Sequence, residues 1–156
     1  MNLKLRSIGR VFTDASREEL RHGCAISEIV IDQRYTRGLE GLQHYSHLYV
    51  LFWLHEMPKT IKTLKVHPHG RADIKKVGVF ATRSPQRPNP IGLTLVRLVR
   101  KRGRVLTVRG LDAYEGSAVL DLKPFDNWDQ IRRPKVPEWW RKLQRERRHG
   151  HRTRNQ

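Results

Sequence analysis

Short apolar runs separated by turn-forming residues make up most of this chain. Residues 24–32 alternate between two faces, as in a half-buried strand, and residues 47–54 are almost continuously apolar, as in a central strand. Further strands are predicted at residues 77–82, 93–99, 105–109 and 118–122. Many short strands with glycine and proline turns between them are typical of an antiparallel barrel or sandwich, so we predict a mainly β fold.

The pattern changes after residue 129. Residues 130–156 contain ten Lys and Arg but only two Glu. Pro137 precedes Trp139, Trp140 and Leu143, an arrangement that predicts the start of a helix because proline is favoured in a first helical turn. We therefore expect a β domain over residues 1–129 and a basic, partly helical C-terminal tail over residues 130–156.

The charge says more about function than the rest of the composition does. The 156 residues include 32 Lys and Arg against 15 Asp and Glu, a formal net charge of +17. Such an excess favours a polyanion, either a nucleic acid or an acidic membrane surface. The longest apolar run, residues 48–54, is too short to cross a bilayer, and the charged N-terminus does not resemble a signal peptide. We therefore expect a cytoplasmic protein with no membrane partner.

Several common kinds of site are excluded. Neither a GxxxxGK[ST] loop nor a GxGxxG turn occurs, which argues against a doubly wound methyltransferase or dehydrogenase. Cys24 is the single cysteine, so an internal disulfide is excluded. The pairs His67/His69 and His44/His47 have no third ligand at a recognisable spacing, and we expect no metal.

Residues 81–92 form the first segment with candidate chemistry. Three prolines stiffen this stretch, and Arg83, Arg87 and Asn89 project from it. A rigid loop holds polar groups ready for a ligand at little entropic cost, although a rigid hairpin with solvated arginines has the same pattern.

Residues 110–125 form the second such segment. Asp112, Glu115 and Asp121 lie near Tyr114 in an otherwise basic chain. These acceptors suit a cationic ligand such as a sulfonium cofactor, although turn residues between two strands have the same composition.

The motifs together resemble those of the TsaA-like family, also called TrmO. They are Arg37-Gly38-Leu39-Glu40-Gly41, Tyr45-Ser46-His47-Leu48, Gly78-Val79-Phe80-Ala81-Thr82-Arg83-Ser84, Arg87-Pro88-Asn89-Pro90-Ile91-Gly92, Leu111-Asp112 and Asp121-Leu122-Lys123-Pro124. The resemblance implies that residues 1–129 are a single-sheet antiparallel β-barrel methyltransferase domain. It also implies S-adenosylmethionine as the cofactor, and a homodimer that holds the cofactor near the subunit interface. The implied reaction methylates N6 of threonylcarbamoyladenosine, the base just 3′ of the tRNA anticodon.

The resemblance also assigns the residues that contact the cofactor. They are His55, Glu56, Arg83, Leu93, Asp112, Ala113, Tyr114 and Glu115. The urea-like acceptor nitrogen needs its proton removed, and we expect Asp112 or Asp121 to act as the base. Two departures from the family are the segment 13–23, which stands in place of a Pro-Arg-Gln-type motif, and the basic tail, which stands in place of an extra C-terminal domain.

Contacts with tRNA are expected from basic and aromatic residues of both segments and of the tail. The basic and amide candidates are Arg83, Arg87, Asn89, Lys123, Arg141, Lys142 and Arg145. The candidates for stacking on bases are Tyr114, Trp128 and Trp139. Two alternatives remain open: a non-catalytic RNA-binding barrel, and a methyltransferase that acts on another adenosine or on a small molecule.

Overall fold

The computed structural model describes residues 4–58 and 63–152, with side chains described up to residue 146. The strands are β1 (Gly9–Phe12), β2 (Ile26–Ile31), β3 (His47–Trp53), β4 (Lys65–Val66), β5 (Val77–Gly78), β6 (Ile91–Arg102), β7 (Val105–Arg109) and β8 (Ala118–Pro124). Six of them close into an antiparallel barrel in the order β1, β2, β7, β6, β3, β8, while β4 and β5 form a separate two-stranded sheet. The predicted mainly β, single-sheet antiparallel barrel is therefore confirmed.

Side-chain alternation fills the barrel interior. On β3, Leu48, Val50 and Phe52 point inward and are at most 2% exposed. Gly92 of β6 lies opposite Phe52, and a Cβ atom added to Gly92 would meet the Phe52 ring at 2.4–2.7 Å. A glycine at this position therefore lets the largest core ring pack against the backbone of the neighbouring strand.

The predicted strand at residues 77–82 is wrong beyond Gly78. The chain turns there into a short 3₁₀ helix, Val79–Ala81, whose first residue is buried. The guanidinium of Arg87 donates hydrogen bonds to the carbonyls of Val79 and Thr82, at 3.2 and 2.9 Å. The Val79 carbonyl also accepts the backbone N–H of Thr82 at 3.1 Å, which closes the 3₁₀ turn where the strand would have continued.

A short helix, α1 (Arg17–His22), was not predicted from the sequence. Ser16 and Glu19 form a reciprocal capping box at its start, and Gly23 ends it with a left-handed φ of 69°. Both signals are visible in the sequence. Helix α1 lies between β1 and β2, at the end of the barrel where β3 ends and β8 begins.

The tail forms a second helix, α2 (Glu138–Arg152), as predicted. Leu143 is only 8% exposed, and the Trp140 ring stacks on His69 at a centroid distance of 6.1 Å. The helix therefore packs against the body of the protein instead of extending into solvent. No helix in the described part of the chain is long and apolar enough to cross a bilayer.

A charge network also holds α2 in place. Arg71 lies between Asp73, at 2.7 Å, and Glu146 of α2, also at 2.7 Å. Lys142 of α2 contacts Asp73 at 3.0 Å. The hydrogen bond from Arg71 lowers the pKa of both carboxyl groups, since it favours their charged form. We call these four side chains the latch.

Candidate functional site

The segment after β3 meets the β7–β8 turn at one end of the barrel. His55 Nδ1 lies 3.3 Å from Ser117 Oγ, which brings the His55–Glu56 pair against the turn. Arg17 of α1 joins the two segments: its Nη2 lies 2.7 Å from Glu56 Oε2, and its guanidinium carbon lies 4.8 Å from the centre of the Tyr114 ring. The structure thus gathers residues that are far apart in the sequence.

Two carboxylates of the β7–β8 turn, those of Asp112 and Glu115, are also held by hydrogen-bond donors. The hydroxyl of Thr94 donates a hydrogen bond to Asp112, and the backbone N–H of Thr13 donates one to Glu115. We call Glu56, Asp112 and Glu115 the carboxylate cluster. A carboxylate that is already held by a donor loses little entropy when it binds a cation.

Most of the expected cofactor residues therefore lie together. His55, Glu56, Asp112, Tyr114 and Glu115 all belong to this end of the barrel. Ala113 is 1% exposed and packs in the core, so its side chain is not accessible to a ligand.

Arg17 and Thr13, both in the segment 13–23, were not predicted as site residues. Arg17 bonds to Glu56 through both carboxylate oxygens, at 3.0 and 2.7 Å. The capping box at Ser16 and Glu19 predicts a helix that begins at Arg17, so this signal was available. The contact with Glu56 was not predictable, because the two residues are 39 positions apart.

The loop at residues 81–92, here called the motif loop, is held by one of its own arginines. Arg87 is half-buried and bonds to the two main-chain carbonyls described above, and its Nε atom is buried without a partner in the described part of the chain. Arg83 and Asn89 are exposed. The motif loop reaches the carboxylate end of the barrel, where the backbone N–H of Leu54 donates to the carbonyl of Pro90 at 2.8 Å.

The motif loop and α2 line a cavity of about 690 Å³, which we call the tail cavity. Its aromatic, imidazole and charged walls come from His67, His69, Phe80, Arg83, Trp139 and Trp140. None of the described residues that line it is acidic. The expected stacking residue Trp139 is thus part of a cavity, whereas Trp128 is 95% exposed and lies outside it.

Leu93 and Asp121 lie on the outer surface of the barrel. Leu51 pairs with Leu93 on one side and with Asp121 on the other, and Leu93 is 55% exposed. Asp121 contacts Lys123 at 2.8 Å, and this hydrogen bond raises the pKa of the Lys123 ammonium. Within one chain, Leu93, Arg83 and the carboxylate cluster therefore occupy three different places.

The tail cations expected to contact RNA lie on α2, where each has an acidic neighbour. Arg141 and Arg145 lie 3.6 and 2.8 Å from Glu138, and Lys142 belongs to the latch. These pairs are exposed, so they leave the cations available to a polyanion.

The histidines do not gather into a metal centre in the part of the chain that the structure describes. His67 Nδ1 lies 2.7 Å from the carbonyl oxygen of Ile74, and His69 stacks on Trp140. Both histidines therefore shape the tail cavity.

Three comparisons relate this geometry to known proteins. The family model described as the tRNA-methyltransferase O N-terminal domain matches residues 14–129. A probable S-adenosyl-L-methionine-binding protein of Methanothermobacter thermautotrophicus is 42% identical over 131 residues, which cover 80% of this chain and 91% of that protein. The human tRNA (adenine(37)-N6)-methyltransferase is 44% identical over 88 residues, which cover 56% of this chain and 20% of the human protein.

A solved structure gives the same result for the fold. TrmO from Pseudomonas aeruginosa superimposes with a TM-score of 0.68 at 27% identity, covering 86% of this chain and 61% of that one. The chain thus spans less than two thirds of this structural relative. The match of the family model to most of the barrel, together with the archaeal relative, shows that the chain belongs to the TrmO N-terminal domain family.

Proposed function

We propose that this protein is an S-adenosylmethionine-dependent tRNA methyltransferase that modifies N6 of threonylcarbamoyladenosine next to the anticodon. Membership of the TrmO family supports the enzyme class and the cofactor. The observation that carries the proposal is the carboxylate cluster, a group of preoriented acceptors at one end of a barrel in a chain of net charge +17.

The carboxylate cluster fits the chemistry of this cofactor. S-adenosylmethionine supplies a methyl group on a positively charged sulfur, so the protein's main task is to position the reactants. Asp112 and Glu115 can accept hydrogen bonds from the ammonium group, and Glu56, although bonded to Arg17, adds its negative charge near the sulfonium. Tyr114, held under Arg17, offers an aromatic face beside them.

Asp112 is the better candidate for the base that takes the proton of the acceptor nitrogen. In the described part of the chain, Asp112 accepts one hydrogen bond, from Thr94. Asp121 has both oxygens engaged, Oδ1 by the N–H of Leu122 and Oδ2 by Lys123. Asp112 therefore keeps an oxygen for the substrate.

A homodimer is part of the proposal. Leu93, Leu95 and Val99 of β6 are 42–55% exposed on the outer barrel face, and burying such side chains favours association. A second copy on this face would bring Leu93 to another chain's site, which would account for its exposed place on the outer barrel face. Light scattering should give twice the chain mass of 18.4 kDa, and Leu93→Asp should yield monomers with reduced methylation. A wild-type monomer that methylates tRNA would contradict the dimeric site.

The reaction itself is tested by nucleoside mass spectrometry. Purified protein and S-adenosylmethionine are incubated with tRNA that carries threonylcarbamoyladenosine, and with the same tRNA lacking that group. We expect a single added methyl on the modified nucleoside. Methyl transfer to both tRNAs, or to another adenosine, would contradict the substrate. Absence of binding to both S-adenosylmethionine and S-adenosylhomocysteine in calorimetry would favour a non-catalytic RNA-binding barrel.

A further inference from the structure

The lining of the tail cavity contains one of the residues expected to contact the cofactor, Arg83. The cavity lies between the motif loop and α2, and the carboxylate cluster is not among its lining residues. Its volume of about 690 Å³ is within the usual range for small-molecule sites.

Three aromatic rings and two imidazoles form part of its walls. Phe80 is 78% exposed, although the preceding residue Val79 is buried and anchors the backbone. Trp139 and Trp140 meet edge to face at 6.0 Å, and His69 covers Trp140 on another side. Rings that are fixed in this way and still accessible form a platform on which a flat ligand can stack.

The charged groups that line the cavity indicate which class of flat ligand it can bind. Arg83 is in the lining, and no described lining residue is acidic. A cofactor with ammonium and sulfonium charges has no acceptor carboxylate here, whereas a nucleotide presents a flat base and an anionic phosphate. Single-stranded RNA is bound in this way, by stacked bases and cationic groups near the backbone.

We propose that the tail cavity binds a nucleobase of the single-stranded loop of the RNA substrate, with Phe80 and Trp139 as stacking partners and Arg83 near the phosphate. This inference rests on the proposed function, because it takes RNA to be the substrate. It gives the tail a second role besides attracting phosphate: α2 supplies one wall of a base-binding site. The hydrogen bond between Leu54 and Pro90 connects the other wall to the carboxylate end of the barrel.

Binding measurements with three variants test the cavity. Phe80→Leu and Trp139→Leu remove a ring and keep apolar volume, and Tyr45→Leu removes a 41%-exposed ring outside the cavity as a matched control. Affinity for an anticodon stem-loop RNA is measured by fluorescence anisotropy at several salt concentrations, and affinity for S-adenosylmethionine by calorimetry. Circular dichroism checks that each variant is folded.

Each cavity variant should weaken RNA binding by about five- to a hundredfold, the usual effect of losing one stacked base. The salt dependence should stay the same, because no charge changes. Affinity for S-adenosylmethionine and the behaviour of Tyr45→Leu should match the wild type. Unchanged RNA binding in both cavity variants would overturn the inference, and so would an equal loss of cofactor affinity, which would assign the cavity to the cofactor.

An abasic scan identifies the base and separates this inference from the proposed function. Each loop nucleotide in turn is made abasic, and the loss of affinity is measured with wild-type protein and with Trp139→Leu. At the bound position the two losses should not add, because they remove the same contact. Additive losses at every position would overturn the base-binding site while leaving the methyltransferase intact. A wild-type protein that binds no RNA would overturn the proposed function and this inference with it.

Discussion

The carboxylate cluster and the tail cavity are two binding regions with opposite chemistry. Acceptors of the cluster sit at strand ends of the barrel and are held by Arg17, Thr13 and Thr94. The cavity is aromatic and cationic, and one of its walls belongs to α2, outside the barrel. In so basic a protein, a site that binds a cation needs acidic groups close to it. A site that binds an anion is favoured by the net positive charge of the whole molecule.

This difference implies that the two binding functions can be separated. The cluster depends on contacts among residues 13–117 and involves no tail residue. The cavity loses one wall if α2 is deleted or detaches from the barrel domain. Changes in the tail should therefore affect RNA binding, and changes at the barrel end should affect the cofactor and the chemistry.

The largest expected effect is on catalysis. Asp112→Asn keeps the shape of the side chain and removes its basicity, so methylation should fall by about 10²–10⁴-fold, the usual contribution of a placed base. RNA affinity should stay the same, because the tail cavity is intact. Single-turnover methylation by mass spectrometry and RNA anisotropy measure the two quantities.

The control for this prediction is Asp32→Asn, which changes a surface carboxylate that contacts only Arg34, at 3.6 Å, among the ion pairs of the described residues. An Asp112→Asn enzyme with wild-type turnover would exclude Asp112 as the base and leave Asp121 as the candidate.

Removal of the tail should give the next largest effect. Ending the chain after Val136 deletes two cavity tryptophans and seven Lys and Arg residues. RNA affinity should fall by at least about a hundredfold, and the slope of log affinity against log salt should become flatter by about 0.7–0.9 for each phosphate that the protein no longer neutralises. Cofactor affinity should hardly change, since charges beyond about 8–10 Å are screened at physiological salt.

A truncated protein with the full RNA affinity and salt slope would show that the barrel alone binds RNA. If instead S-adenosylmethionine binding fell in parallel, the separation between the two regions would be wrong.

Arg17 should have a moderate effect on the cofactor side. Arg17→Ala removes the link between Glu56 and Tyr114, a surface ion pair and a cation–π contact together worth about 1 kcal/mol, so cofactor affinity should fall roughly fivefold. Arg34→Ala is a matched control, because Arg34 also lies over a tyrosine ring at 4.8 Å and near a carboxylate at 3.6 Å. Equal cofactor affinities in the two variants, measured by calorimetry, would remove Arg17 from the site.

The smallest expected effect is the response of the latch to acid. Arg71 lowers the pKa values of Asp73 and Glu146 in the folded protein. The latch therefore stabilises the packing of α2 at pH values above about 4, the ordinary carboxyl pKa, and this stabilisation is lost as the pH falls further and the two carboxylates become protonated. The effect should be small, because the four side chains are 39–49% exposed. Tryptophan fluorescence during an acid titration would report the loosening of α2.

The double variant Asp73→Asn, Glu146→Gln should lack this part of the acid transition. Glu40→Gln, which changes a carboxylate without an ion pair in the described part of the chain, should keep it. An identical titration for all three proteins would show that the latch does not hold the helix.

Local patterns predicted five of the six barrel strands but missed β1 and several segments outside the barrel. The pattern of apolar positions located β2, β3, β7 and β8 to within a few residues. It failed at residues 79–82, where the chain turns into a 3₁₀ helix and the Val79 carbonyl bonds to Thr82 and Arg87. It also did not reveal α1, because a helix of six residues is too short to show periodicity. The sequence signal for α1 is its capping box.

The sequence by itself determined the fold class, the excess of positive charge and the chemical groups of the site, because periodicity, composition and motifs are local properties. Only the tertiary structure decided which groups meet. Arg17 reaches Glu56 across 39 positions, and Arg71 reaches Glu146 across 75, since barrel closure and helix packing bring distant segments together. The position of Trp139 in a cavity and of Trp128 in solvent likewise depends on where α2 packs, and no local pattern encodes that difference.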